Sequence, residues 1–408
     1  MVLKSIKVKG FRSSPAEQAV EFSEGVNILY GKNASGKTNL LEAIYLCAAG
    51  KSFRLCDEKN FIRHGEQRSS IIAEYVSEGR DGESSTVELC HYNCGRKTAR
   101  LFRLNGIKTE SASEAVGNFK AVVFTPDHLS IVKGAPEERR RFLDMVMSQA
   151  SRSYIGYLTA YNKRLRYKND FLRIAKQKGI PPDTVMLDTV NITLAEYAVR
   201  VCDMRRKFCA ELTEKASEFY SQITGGREKL VLEYESKISL PHGLTFEESV
   251  SEVCRLFGDA AESEVAAGYA LVGPHRDDIS IRIENMGELQ GENENTGEAE
   301  SSDICTDGDG FSYSYSHSAK FFGSRGQQRS AVLALKLAEG EMLRSLTGEY
   351  PVFLFDDVLS ELDAERRNFI LSELSGRQVI VTCCDVDASF GSVANAKLIN
   401  AVNGVYQG

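Results

Sequence analysis

The chain has 408 residues, 42% of them hydrophobic and 26% charged, with a formal net charge of −7. That length supports two or three domains with a sizeable core, and the balance is that of an ordinary globular protein. No apolar run approaches the roughly 18–20 residues that span a bilayer, and Met1-Val2-Leu3-Lys4 opens no long apolar leader, so no membrane role and a cytoplasmic location are expected.

Charge and cysteine content need their positions to be informative. Glu284 to Gly310 holds nine acidic residues and no Lys or Arg; without that segment the remainder is slightly basic. Between Glu137 and Lys207, fifteen Lys or Arg face eight Asp or Glu, an excess that suits phosphate binding. The ten cysteines are scattered and read as reduced thiols rather than a disulfide framework. Cys90, His91 and Cys94 invite a metal reading, but no second pair follows at zinc-finger spacing. Cys383-Cys384 are expected to pack against the core.

The N-terminal part reads as strands at Leu3–Val8, Ala19–Phe22 and Val26–Tyr30. The last runs directly into Gly31-Lys32-Asn33-Ala34-Ser35-Gly36-Lys37-Thr38, a complete P-loop. Glycines let backbone N–H groups approach phosphates, Lys37 brings a charge to the β- and γ-phosphates, and the Thr38 hydroxyl is a Mg²⁺ ligand. Asn39–Ala49 is expected to be the helix whose positive end meets the same phosphates. Strands follow at Ile71–Val76, Thr86–Tyr92 and Ala99–Leu104, and Asn105-Gly106 marks a tight hairpin.

From Glu137 to Lys178 apolar residues recur at steps of three and four, from Leu143 and Met147 through Tyr154, Leu158 and Tyr161 to Leu165. Pro181-Pro182 breaks the pattern, and Leu187, Leu194, Val201 and Phe208 resume it. Two helices of roughly 35–40 residues, about 55–60 Å each at the helical rise, make an antiparallel arm. Residues 285–318, rich in Gly, Glu, Asn, Asp and Ser, read as a disordered surface loop between a strand at Ile279–Ile283 and the motifs that follow.

Val352-Phe353-Leu354-Phe355-Asp356-Asp357 is an apolar strand ending in two carboxylates, which after a P-loop reads as Walker B. Asp356 is expected to hold Mg²⁺. Asp357 stands where ABC ATPases carry the Glu that polarises the attacking water, and its shorter side chain predicts slow hydrolysis. About thirty residues earlier, Phe322-Gly323-Ser324-Arg325-Gly326-Gln327-Gln328-Arg329 resembles the ABC signature opening a helix from Gln327 to about Leu346. The resemblance implies that Ser324, Gly326 and Gln327 meet ATP held by a second subunit, and that Asp363 of Ser360-Glu361-Leu362-Asp363 belongs to the partner-facing D-loop. No switch histidine follows Val379–Val381, so Thr382 is the expected γ-phosphate contact. No Q-loop glutamine is assigned.

Walker A at one end and signature and Walker B at the other, with a helical arm between, is the order of the split-head class related to the structural-maintenance-of-chromosomes proteins. A transporter subunit would place its signature roughly 100 residues after Walker A, and too little chain follows Walker B for an appended nuclease. With so short an arm, the chain resembles the RecF family. Lys51-Ser52-Phe53-Arg54, Phe124-Thr125-Pro126-Asp127, Gly134-Ala135-Pro136-Glu137-Glu138-Arg139-Arg140-Arg141-Phe142-Leu143-Asp144, Gly273-Pro274-His275-Arg276-Asp277-Asp278 and Asp356 to Asp363 carry that likeness; the 285–318 insertion departs from it.

The fold implied is α/β: an ABC-ATPase-type head with a P-loop α/β core and β-meander, plus an inserted helical arm. The expected division is 1–130 and 268–408 for the head and 131–267 for the arm. The resemblance further implies ATP and Mg²⁺ as cofactors, an ATP-dependent homodimer, and binding of gapped or single-strand/double-strand junction DNA. It also implies cooperation with RecR and RecO to load RecA. DNA phosphates are expected on or beside the arm, at Arg139, Arg140, Arg141, Arg152, Lys163, Arg164, Arg166, Lys168, Arg205, Arg206 and Lys207.

Overall fold

A computed structural model describes residues 1–14, 17–78, 82–179, 184–241, 243–285, 304–306, 312–314, 318–384, 386 and 396–408. In chain order the strands are β1 (Val2–Lys9), β2 (Gln18–Glu21), β3 (Val26–Tyr30), β4 (Arg68–Val76), β5 (Ser84–Cys94), β6 (Lys97–Leu104), β7 (Ile107–Lys108), β8 (Ala121–Phe124), β9 (Glu228–Glu235), β10 (Asp278–Asn285), β11 (Ile304–Thr306), β12 (Ser312–Ser314), β13 (Val352–Asp356), β14 (Val379–Cys383), β15 (Lys397–Val402) and β16 (Val405–Gln407). The helices are α1 (Lys37–Ala49), α2 (Ala112–Ala115), α3 (Ser130–Lys133), α4 (Pro136–Ala150), α5 (Arg152–Lys178), α6 (Thr184–Thr224), α7 (Phe246–Asp259), α8 (Ala261–Ala267), α9 (Arg325–Thr347) and α10 (Ala364–Glu373). Among the described residues no helix is long and apolar enough to cross a membrane.

The described chain divides into two compact units. The first comprises Met1–His128, Ser148–Arg152 and Leu333–Gly408. It holds an antiparallel meander, β2-β1-β4-β5-β6-β7, and a second sheet ordered β16-β15-β3-β14-β13-β8. In the second sheet β8, β13, β14, β3 and β15 run parallel, so their C-terminal ends share one edge. Their apolar runs are continuous because both faces are covered: β8, β13 and β14 are buried throughout. Gln378, immediately before β14, joins the two sheets. Its amide nitrogen donates to the carbonyls of Leu3 (2.8 Å) and Ser23 (2.7 Å), and its amide oxygen accepts from the Leu3 N–H at 2.7 Å. The expected hairpin at Asn105-Gly106 is present, with both residues at positive φ (49° and 79°) and Leu104 paired with Ile107.

The second unit comprises Leu129–Met147 and Ser153–Val332. The antiparallel run of α5 against α6 follows from Tyr154 meeting Arg205 while Tyr161 and Leu165 share a core with Leu194, Ala198 and Cys202. Three differences from the sequence reading appear. The first helix is broken at Ser151 into α4 and α5, although the apolar period passes through the break undisturbed. The diproline lies outside the described residues, as does most of 285–318; within that stretch β11 and β12 form a short antiparallel ladder rather than irregular loop. The division also falls elsewhere than at 131–267: β10 pairs with β9 along its whole length, which groups Pro274 to Val332 with the arm helices.

Buried ion pairs hold this unit together and correct the list of DNA-facing cations. Arg139 grips Asp278 with Nε at 2.6 Å and Nη2 at 2.7 Å, uniting two of the motifs that carried the family resemblance. Arg205 donates to Asp144 (2.7 Å), to the Tyr154 hydroxyl (3.0 Å) and to the Pro274 carbonyl (2.7 Å). Lys168 pairs with Glu264 at 2.7 Å and lies over the Phe257 ring. All three cations are buried and therefore unavailable to phosphate. Asp277 accepts from Ser236 (2.8 Å) and Tyr234, and its burial pushes its carboxyl above the usual range. A buried charge left without its partner is costly, whereas removing both partners is nearly neutral. Arg139→Ala is therefore expected to destabilise the protein by about 3–5 kcal/mol in urea unfolding, and Arg139→Met with Asp278→Leu to recover most of that loss. A loss below about 1 kcal/mol for the single variant contradicts this view of the pair.

Candidate nucleotide site

The P-loop is shaped by positive-φ backbone, two of its three positions being glycine. Gly31 (φ 154°), Ala34 (φ 64°) and Gly36 (φ 103°) curl Gly31–Thr38 at the end of β3. A Cβ on Gly31 would fall 2.2 Å from the Ala401 carbonyl oxygen of β15, so only glycine passes there. Lys37 is buried, and its ammonium donates to the carbonyls of Gly31 (2.7 Å) and Lys32 (3.2 Å). The Ser35 hydroxyl is buried and has no hydrogen-bond partner among the described residues. At the start of α1, Gly36 provides no side-chain cap and the first turn has no acidic residue, leaving the helix N–H groups and dipole to an anion.

The carboxylates come from the opposite end of the chain. Asp356 ends β13, and its Oδ1 accepts from the Thr38 hydroxyl at 2.9 Å and the Thr382 hydroxyl at 3.0 Å. Burial raises the Asp356 carboxyl, while the two hydroxyl bonds and the charges of nearby groups modify that rise. Asp357 follows at φ 55°, a left-handed conformation unusual for a non-glycine residue. It is half-buried, its N–H donates to the Thr382 hydroxyl at 2.9 Å, and its carbonyl accepts from Ser360 at 2.7 Å. Thr38, Asp356, Asp357 and Thr382 thus lie at one sheet edge beside the phosphate-binding curl, the usual place for a ligand in a parallel sheet. An orphaned hydroxyl, a converging ammonium, uncapped N–H groups and a Thr–Asp oxygen pair fit a nucleoside triphosphate with a hard divalent cation.

Thr382 is buried at 2%, and its hydroxyl, engaged by Asp356 and the Asp357 N–H, braces Walker B. Of the adjacent cysteines only Cys383 is buried; Cys384 is exposed and its thiol donates to the Asn33 side chain of the P-loop at 2.9 Å. Cys47, Cys56, Cys90, Cys94, Cys202, Cys209, Cys254, Cys383 and Cys384 are free thiols, and among the described residues no cluster of three His, Cys, Asp or Glu suits a metal.

Glu42 was missed by the sequence reading. It is fully buried on the second turn of α1, takes both Arg12 Nε (2.8 Å) and Nη2 (2.6 Å), and accepts from the Ser52 hydroxyl at 2.6 Å. Arg54 stands 3.6 Å away, and its charge also acts on Asp356. The Lys51–Arg54 motif is therefore anchored to the P-loop helix. A lone carboxylate within Leu40-Leu41-Glu42-Ala43-Ile44 was the available signal, since an acid in so apolar a run must be paired.

Signature and D-loop have local geometry of their own. In the second unit, the Ser324 hydroxyl accepts the Gln327 N–H (3.2 Å) while the Gln327 side chain accepts the Ser324 N–H (2.7 Å). This reciprocal cap starts α9. Gln327 Nε2 also donates to Glu228 at 2.7 Å. Ser324 is exposed and Gly326 half-buried, so the signature presents its opening turn to solvent. In the first unit, Asp363 caps α10 by accepting the Arg366 N–H at 2.9 Å.

The family described as RecF/RecN/SMC N terminal domain matches residues 2–406. The DNA replication and repair protein RecF of Staphylococcus haemolyticus is 35% identical over 405 residues, covering 99% of this chain and 98% of the relative. The chain belongs to the RecF family. RecF of Geobacillus kaustophilus is likewise 35% identical, over 95% of this chain and 94% of its own. A solved structure of the recombination mediator protein RecF with ATP, in the RecFOR pathway, superposes with a TM-score of 0.82 at 29% identity, covering 100% of this chain and 97% of that one. The Smc head domain of Pyrococcus furiosus, at a TM-score of 0.51 and 15% identity, covering 100% and 95%, shares the fold. This RecF-family head is accordingly an ABC-ATPase-type α/β fold.

The geometry separates two effects. Lys37→Met is expected to abolish measurable ATP binding in calorimetry. Thr382→Val keeps the side-chain volume but removes the hydrogen bonds to Asp356 and from the Asp357 N–H, so it should slow hydrolysis about ten-fold while ATP affinity stays within about two-fold. A large affinity loss in Thr382→Val would point to a phosphate contact at Thr382.

Proposed function

We propose that this RecF-family protein is an ATP-switched DNA-binding factor of recombinational gap repair. The observation that carries this is the Thr38–Asp356 pair, which unites P-loop and Walker B from opposite ends of the chain. In this reading Gly31–Thr38 hold the phosphates of ATP, with Lys37 on the β- and γ-phosphates. Thr38 and Asp356 hold Mg²⁺, which would neutralise charge on the phosphates. Asp357 orients and polarises the attacking water. The nucleoside extends into an open groove of about 1060 Å³ whose lining includes Arg12, Ser13, Asn39 and Ile62, beside α1.

A nucleotide gripped from one side only is a weak switch. In ABC-type dimers the signature of one subunit completes the site of the other, and the exposed opening turn at Ser324 and Gly326, with the segment Ser360–Asp363, suits that role here. ATP then drives homodimerisation, the dimer grips gapped or junction DNA, and slow hydrolysis at Asp357 releases it. The relatives' description as RecF, and the RecFOR pathway of the solved relative, support cooperation with RecR and RecO in loading RecA.

Sedimentation at micromolar protein is the test. A dimer is expected with ATP and Mg²⁺ and a monomer without. Asp357→Asn should bind ATP but stay dimeric because hydrolysis stalls. A protein monomeric under every nucleotide condition contradicts the reading, and normal turnover by Asp357→Asn removes that residue from the chemistry.

With Arg139, Lys168 and Arg205 buried, the arm cations left facing solvent include Lys163 and Arg166, with Arg164 half-buried. Reversing Lys163, Arg164 and Arg166 together to Glu should weaken DNA binding and lower the salt slope by about 0.9 per lost phosphate contact, with ATP binding intact. Unchanged affinity and slope would move the DNA site off this face.

A further inference from the structure

A groove of about 710 Å³ in the second unit shares no residue with the P-loop. One wall is the face of α6 that carries Arg200, Asp203, Arg206 and Lys207; the other is formed by residues of 236–241 and 243–246, Leu240 and Leu244 among them. Its charge is unbalanced, with three cations against one carboxylate.

The cations are in different states. The Arg200 guanidinium lies 4.3 Å from the Phe246 ring centroid and 5.2 Å from that of Tyr157, a stacked position that orders it with no ion pair among the described residues. Arg206 is exposed and has no ion pair among the described residues. Lys207 meets Asp203 at 2.9 Å, but both are well exposed, and a surface pair one helical turn apart is worth only about 0.3–0.5 kcal/mol and exchanges readily. Between these charges the floor is apolar: Val199 and Ile238 are buried, Leu240 and Leu244 half-buried.

We propose that this groove docks an acidic peptide segment of a partner protein, one that carries an apolar side chain among its carboxylates. An apolar trough for an anchor, rimmed by cations that steer and orient, is the complement of that chemistry. Single-stranded nucleic acid fits less well. It needs open aromatic faces on which bases stack, and here the Phe246 and Tyr157 rings lie under Arg200 while the Tyr234 hydroxyl is bonded to Asp277. Arg206 and Lys207, counted from sequence among the DNA-facing cations, thereby take a different partner.

The probe is a fluorescein-labelled peptide of alternating Asp and Leu ending in Phe, titrated with the full chain by anisotropy at low and at moderate salt. Saturable, salt-weakened binding is expected. Arg206→Glu with Lys207→Glu should weaken it by about ten-fold or more, equivalent to about 1.4 kcal/mol. Leu244→Asp, which leaves every cation in place, should weaken it comparably. Both variants should retain the wild-type melting temperature and ATP affinity. The proposal is overturned if both folded variants bind the peptide as the wild type does. It is equally overturned if an oligothymidylate binds more tightly than the peptide and loses that affinity on reversal of Arg206 and Lys207, which would make the groove a nucleic-acid site.

Discussion

One carboxylate oxygen organises the head. Oδ1 of Asp356 accepts the hydroxyls of Thr38 and Thr382, so the first turn of the P-loop helix, the end of β13 and the end of β14 meet at one atom. Strand order makes this possible. β14 lies between β3 and β13, all parallel, which brings their C-terminal ends to a common edge and leaves Thr382 between the P-loop and Walker B. Gln378 secures the other end of β14 to β1. Placement of the phosphate site thus depends on long-range pairing more than on either motif alone.

The same principle governs the charges. A basic stretch in sequence looks like a surface prepared for phosphate, yet Arg139, Lys168 and Arg205 face inward to Asp278, Glu264 and Asp144. Those pairs connect α4, α5 and α6 to the Pro274–Asp278 turn and the helices beside it. Buried ion pairs contribute little net stability against an apolar alternative, but they impose one register because every mispairing strands a charge. The motifs Gly134–Asp144 and Gly273–Asp278 are family-like in sequence for that structural reason, while the cations that remain at the surface are fewer and more dispersed.

What could be read from sequence was what repeats locally or sits at fixed spacing. The P-loop, Walker B and signature were legible because close backbone approach, an apolar strand ending in acids and a reciprocal Ser–Gln cap each leave a short pattern. The arm helices were legible from their 3.6-residue period. The break at Ser151 was not, because the period continues across it. β8 and β15 were missed as members of the sheet, since an edge position or a partner hundreds of residues away leaves no local trace. Glu42 was missed and Cys384 was expected in the core for the same reason: their significance lies in Arg12 and Asn33, which only the fold brings near. Thr382 was placed at the right edge, but its bonds to Asp356 and Asp357 were not foreseen, because spacing locates a strand end without saying which way its hydroxyl points.

We propose that P-loop and Walker B, drawn from the two ends of the chain, form one ATP–Mg²⁺ site. The most direct test is the affinity of ATP measured with Mg²⁺ and with chelator in the wild type and in Asp356→Asn. The wild type should bind ATP more tightly with Mg²⁺, and Asp356→Asn should lose that gain while keeping its Mg²⁺-free affinity, since Lys37 and the loop N–H groups are untouched. A variant that retains the full Mg²⁺-dependent gain would contradict the claim.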